Sequence, residues 1–153
     1  MRKKREAQLM LEQIENVDAI IENKLIERQQ WRELALSITA NMDEGERVQS
    51  SGSKSKMANA VERCLDMADE ILELVEKLAT KKKRATEVIE QLYSPMEYKV
   101  LHMRFIQYKD LQDIADYFGK DYEWAKATCK RGCGHVQAIL NRERMSRDVP
   151  KTS

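Results

Sequence analysis

The chain has 153 residues, 35% of them charged, with 5 Gly, 2 Pro and only 6% aromatics. That length holds one domain or two small ones, and a composition rich in Glu, Lys, Leu and Ala favours long helices. The net charge of +1 by itself argues neither for nor against a nucleic-acid partner. No apolar run approaches a membrane span, and no apolar core follows the basic start MRKKREAQ as a secretion signal requires. Cys64, Cys129 and Cys133 have no framework spacing, which suits a reduced, cytoplasmic protein.

Residues 7–42 carry helical periodicity throughout. Met10, Ile14, Val17, Ile21, Trp31, Ala35, Ile38 and Met42 fall on three- and four-residue steps. Lys24 and Arg28 interrupt that seam. Their stems can pack while their heads reach water, or meet acidic residues of a neighbouring helix. A helix of about 36 residues would be about 54 Å long, and so narrow a stripe needs a helical partner.

Residues 43–56, DEGERVQSSGSKSK, read as a loop. Gly45 is placed to end the first helix, and Val48-Gln49-Ser50-Ser51-Gly52 reads as a linker. A second amphipathic run covers 57–92. Its seam is Met57, Val61, Cys64, Ala68, Ile71, Val75, Leu78, Ala85, Ile89 and Leu92, with Lys82 its one polar member. Leu65, Leu72 and Leu74 widen the stripe. Together residues 1–92 predict an antiparallel, coiled-coil-like helical hairpin for assembly or partner binding, with apolar surface left over. Lys81-Lys82-Lys83-Arg84 is a charge run within it. A solvated helix face accounts for such a run. The sharper reading makes Lys81, Lys83 and Arg84 phosphate contacts beside a DNA site.

Ser94-Pro95-Met96-Glu97 is a helix start. Ser94 can cap, Pro95 suits the first position and Glu97 can complete a capping box. That helix should run to about Gln107, with Tyr98, Val100, Leu101 and Phe105 on its inner face. Residues 110–140 then predict two helices joined by a tight turn. Leu111, Ile114, Ala115 and Phe118 form one stripe, Gly119 can end the first helix, and Asp121 can start the next. Three helices over 93–145 make a helix-turn-helix domain, in which the helix after Gly119 enters the DNA major groove. Residues 146–153 read as a flexible tail. From Lys120 to Ser153 the local charge is +4, and from Val61 to Ala79 it is −4.

The quoted residues Tyr98-x-Val100-Leu101-His102-x-Arg104-Phe105-Ile106, Leu111-x-x-Ile114-Ala115, Trp124-Ala125-Lys126 and Lys130-Arg131-Gly132 resemble region 4 of bacterial sigma factors. A closer likeness is to the sigma-like, ArpU-type transcriptional regulators of Gram-positive phages and prophages. That group also shares a Val48-Gln49-Ser50-Ser51-like segment. The resemblance implies a DNA-binding regulator of phage late genes, with double-stranded DNA as partner and RNA polymerase as a further one. Ala125, Thr128 and Cys133 depart from it, standing where larger aliphatics are usual, which implies looser packing of the second helix. Gly132 and Gly134 each cost a helix interior about 1 kcal/mol, predicting a bend or early end near Gly134.

The outward face of that helix supplies the expected base contacts: Tyr122, Glu123, Lys126, Ala127 and Lys130. Glu123 can accept from a cytosine N4, Lys126 can donate to guanine, and Ala127 can meet a thymine methyl. Lys120 and Arg131 are better placed for phosphates. Trp124 is expected to prop the turn. Cys129, Cys133 and His135 lie close together, but structural zinc needs four ligands and only His102 could be the fourth, so no metal or other cofactor is assigned. No phosphate-binding glycine loop, nucleophile elbow or carboxylate pair points to an enzyme. Two other readings stay open: a helical protein-interaction module without DNA binding, and a phage DNA-packaging recognition subunit. A homodimer through the hairpin would set half-sites about 34 Å apart, or a multiple of that, whereas a grip on RNA polymerase needs only a monomer.

Overall fold

The computed structural model describes residues 5–44 and 51–148, and these are all-helical, with no strand among them. The elements are α1 (Glu6–Glu44), α2 (Ser51–Ile89), α3 (Pro95–Leu101), α4 (Leu111–Phe118) and α5 (Tyr122–Asp148). A π-helical turn, His102–Ile106, continues α3 directly. None of the helices among the described residues is long and apolar enough to cross a membrane.

The expected loop at 43–56 is shorter, because α1 runs through Glu44 and α2 already begins at Ser51. Gly45 and residues 48–50 lie outside the described residues. At the far end, α5 continues to Asp148 instead of fraying from residue 146, and residues 149–153 lie outside the description. Nor does α5 bend out of helix at Gly134; it is one helix of 27 residues.

The chain forms two compact units, and they do not divide at residue 92. One takes in the start of α1 through Asn16 and the chain from Ala79 onward; the other is Val17–Leu78.

In the second unit, Val17, Ile21 and Ile71 are buried together, with Leu74 and Leu78 packed against them. Lys24 Nζ donates to Glu70 Oε2 at 2.9 Å, and Arg63 reaches Glu70 and Glu27 at 3.2 and 3.7 Å. Arg28 Nε donates to the Cys64 carbonyl at 3.2 Å, so Lys24 finds a carboxylate and Arg28 a backbone oxygen. Partners rise along α1 as they fall along α2. The inward row of α2 is Ala60, Cys64, Met67, Ile71, Leu74 and Leu78. Val61 and Val75, expected on the seam, are exposed instead.

The first unit holds the remaining core. Ala7, Leu11, Ile14, Ala85, Val88, Ile89, Leu101, Val136 and Ile139 are buried in it. Polar contacts tie its segments together. The Ala7 amide donates to Gln137 Oε1 at 2.9 Å, and Arg144 pairs with Glu6. Arg84 pairs with Glu143, and Lys81 Nζ donates to Gln13 Oε1 at 2.7 Å. Lys82 Nζ stands 5.3 Å from the centroid of the Tyr108 ring.

Candidate nucleic-acid interface

Local chemistry fixes the corner between α4 and α5. Asp110 caps α4, its Oδ1 accepting from the Asp113 amide at 2.8 Å. Gly119 ends α4 in the left-handed region, with φ 65° and ψ 34°. The Lys120 amide then donates to the Ala115 carbonyl at 2.8 Å, satisfying an oxygen at the helix end. Asp121 Oδ1 accepts from the Trp124 amide at 2.8 Å and so starts α5.

Beneath the corner lies a cluster of Val100, Met103, Ile114, Ala115 and Ala125. Leu111, Phe118, Trp124 and Cys129 pack against it. The Phe118 and Trp124 rings stand 5.5 Å apart, so Trp124 does brace the turn. Ala125 and Thr128 are fully buried, which fixes the inward side of α5. Helical geometry then turns residues 122, 123, 126, 127 and 130 the other way. Tyr122, Glu123, Lys126, Ala127 and Lys130 are all exposed, as are Lys120 and Arg131.

The two glycines of α5 have different surroundings. A Cβ at Gly132 would stand 3.1 Å from Leu101 Cγ and Cδ1, so α3 and α5 approach closely there. At Gly134 the corresponding neighbour is only the Arg5 Nη1 tip, at 3.2 Å. At Gly132 the helix is thus held by close packing, where the sequence suggests only a helix-propensity loss.

Glu97 also differs from expectation. Its amide donates to Ser94 Oγ at 3.2 Å, giving half of the predicted capping box. The side chain does not return to the cap. It is buried against α5, accepting from His135 Nδ1–H and lying 3.8 Å from Arg131 Nε. A carboxylate can only accept, which sets the histidine's donor nitrogen. Nothing in the spacing of Glu97 and His135, 38 residues apart, announces the pair.

The expected phosphate contacts on α2 diverge. Lys83 is exposed, Lys81 is hydrogen-bonded to Gln13, and Arg84 is directed at Glu143. The Arg84 guanidinium holds Glu143 below the usual carboxylate range, and Glu143 in turn raises Arg84. A phosphate at Arg84 would compete with a carboxylate already in place.

His102 Nδ1 pairs with Gln107 Nε2 at 2.9 Å, and His135 is held by Glu97. No three His, Cys, Asp or Glu side chains group as metal ligands among the described residues. The hydrogen bond between the two thiols lowers Cys129 and, with burial, pushes Cys133 up.

These residues define an all-helical protein that presents one exposed, mixed-charge helix face from a closely packed corner. No protein family, curated protein or solved structure matches the chain.

Proposed function

We propose that the protein is a sequence-specific, double-stranded DNA-binding transcriptional regulator of the sigma region 4-like, phage or prophage late-gene type. In this reading α4 and α5 are a helix-turn-helix on a head begun by α3, α1 and α2 form an antiparallel hairpin, and the protein works in the cytoplasm. The observation that carries it is the two-sidedness of the start of α5. Ala125 and Thr128 anchor one side in the core, and Tyr122, Glu123, Lys126, Ala127 and Lys130 face solvent on the other. A helix held rigidly from behind, with polar and small side chains on its free face near its N-terminus, suits major-groove docking. Its side chains include an acceptor for cytosine, a donor for guanine and a methyl for thymine. Lys120 and Arg131 flank that face and suit phosphates.

Selection from a random duplex library, read by sequencing and then by mobility shift, tests the reading. The expected result is one enriched motif bound far more tightly than scrambled duplex. Enrichment of no motif, with equal affinity for all duplexes, would reject sequence-specific regulation.

A further inference from the structure

The unit Val17–Leu78 carries a second apolar row that the DNA-binding reading does not use. On α2, Val61, Leu65, Ala68, Leu72 and Val75 follow one another at steps of four, three, four and three residues. That is the spacing of a helix packed on another helix. The row is offset by one residue from the inward row, which turns it about a quarter-turn around α2. Val61, Leu65, Leu72 and Val75 are 44%, 61%, 59% and 44% exposed. So regular a row is left uncovered by its own unit.

The two edges of the α1–α2 seam differ in chemistry. One is closed by the Lys24–Glu70, Arg63–Glu70 and Arg63–Glu27 ion pairs. Residues 63 and 70 lie on the opposite side of the inward row from 61, 68 and 75, so the apolar row borders the other edge. There α1 adds exposed Leu25 and Leu36. A cavity of about 220 Å³ opens at that edge, lined by Leu25, Arg28, Gln29, Arg32 and Cys64. Beyond the apolar strip carboxylates outnumber basic groups. Glu22 and Glu33 stand on the α1 side, and Glu62, Asp69 and Glu76 on the α2 side, all exposed. Against these carboxylates stand Arg32 and Arg28, the latter bonded to the Cys64 carbonyl.

We propose that this face is a docking groove for a basic amphipathic helix of a partner protein, with an apolar stripe flanked on both sides by Lys or Arg. Charge selects the occupant. A second copy of this chain would bring the same excess of carboxylates, Glu22, Glu33, Glu62, Asp69 and Glu76 against Arg28 and Arg32, so the two faces would carry like net charge. A helix with basic flanks completes the apolar row and pairs both rims, the helix-in-groove mode of recognition. An anionic membrane surface is repelled by the same rims.

The test uses the full-length protein and two labelled synthetic peptides of four heptads. Both carry Leu at a and d; one has Lys at e and g, the other Glu. Binding is read by fluorescence anisotropy, and oligomeric state by sedimentation equilibrium. The Lys peptide should bind and weaken with salt, and the Glu peptide should bind about tenfold or more weakly. Leu65→Gln with Leu72→Gln should weaken the Lys peptide about tenfold, since apolar anchors dominate such grooves. Both side chains are exposed, so the variant should keep its helical circular dichroism and its DNA binding. The proposal is overturned if neither peptide binds, if both bind equally, or if the double variant binds the Lys peptide unchanged, because rim charge alone would then explain the attraction. It is equally overturned if the wild type sediments as a dimer that the double variant dissociates, making a second copy the occupant.

Discussion

Leu101 sits where a side chain on residue 132 would have to go: its Cγ and Cδ1 both lie 3.1 Å from the Cβ position of Gly132. Leu101 is itself fully buried, so it has little room to give way. Gly132→Ala therefore sets a helix-propensity gain of about 1 kcal/mol against overpacking of about 1–3 kcal/mol. Gly134→Ala meets only the end of a flexible arginine and should keep most of its gain. Urea unfolding should show Gly134→Ala more stable than wild type and Gly132→Ala at or below it. Equal stabilisation by both would mean that α3 and α5 are not in close contact at this point.

Gly119 presents the opposite situation, with open space and a demanding backbone. Nothing lies within 4 Å of its Cβ position, yet its φ is +65°. Gly119→Ala should cost about 1–2 kcal/mol through the left-handed conformation alone. Gly119→Asn should cost less, because asparagine visits that region more readily. The same unfolding experiment ranks the three proteins, and Ala and Asn variants of equal stability would count against a conformational origin.

On the reading helix, two lysines should behave differently. Lys126→Ala should relax preference at one base pair, worth about 1–3 kcal/mol of discrimination. Lys120→Ala should weaken all duplexes alike and reduce the slope of log affinity against log salt by about one. Specificity profiling of both variants at two salt concentrations separates the effects. Uniform loss in the Lys126 variant would make that residue a phosphate contact.

Acid should loosen the unit that contains α5. Arg84 holds Glu143 below its ordinary value of 4.5, and Arg144 does the same for Glu6. A carboxylate depressed on folding contributes stability above its unfolded pKa and loses it as pH falls through the folded one. Thermal melting temperature should therefore hold near neutrality and drop as the pH goes below 4.5. Glu143→Gln should lower it slightly at pH 7 and make the acid decline shallower. Parallel curves for variant and wild type down to pH 3 would show that Glu143 contributes nothing to that decline.

Much of this was legible in the sequence where chemistry is local. The Ser94 and Asp121 caps, the end of α4 at Gly119 and the inward positions of Ala125 and Thr128 all follow from near neighbours. The face of α2 was only half legible, for a geometric reason. The expected seam shares Cys64, Ile71 and Leu78 with the observed inward row. It takes Val61, Ala68 and Val75 from one flank, where the structure takes Ala60, Met67 and Leu74 from the other. Both choices satisfy a heptad, and only the position of α1 separates them. Glu97 illustrates a second limit. Its place three residues after Ser94 suggests a local bond, while its actual partner, His135, lies far along the chain.

The Ala7–Gln137 hydrogen bond joins residues 130 apart. During synthesis the opening turns of α1 must therefore wait until Gln137 has been made. At about 5–20 residues per second that delay is roughly ten seconds. Throughout it, Leu11 and Ile14 stand without the late helix of their own unit, so a ribosome-associated holdase would find an apolar target there.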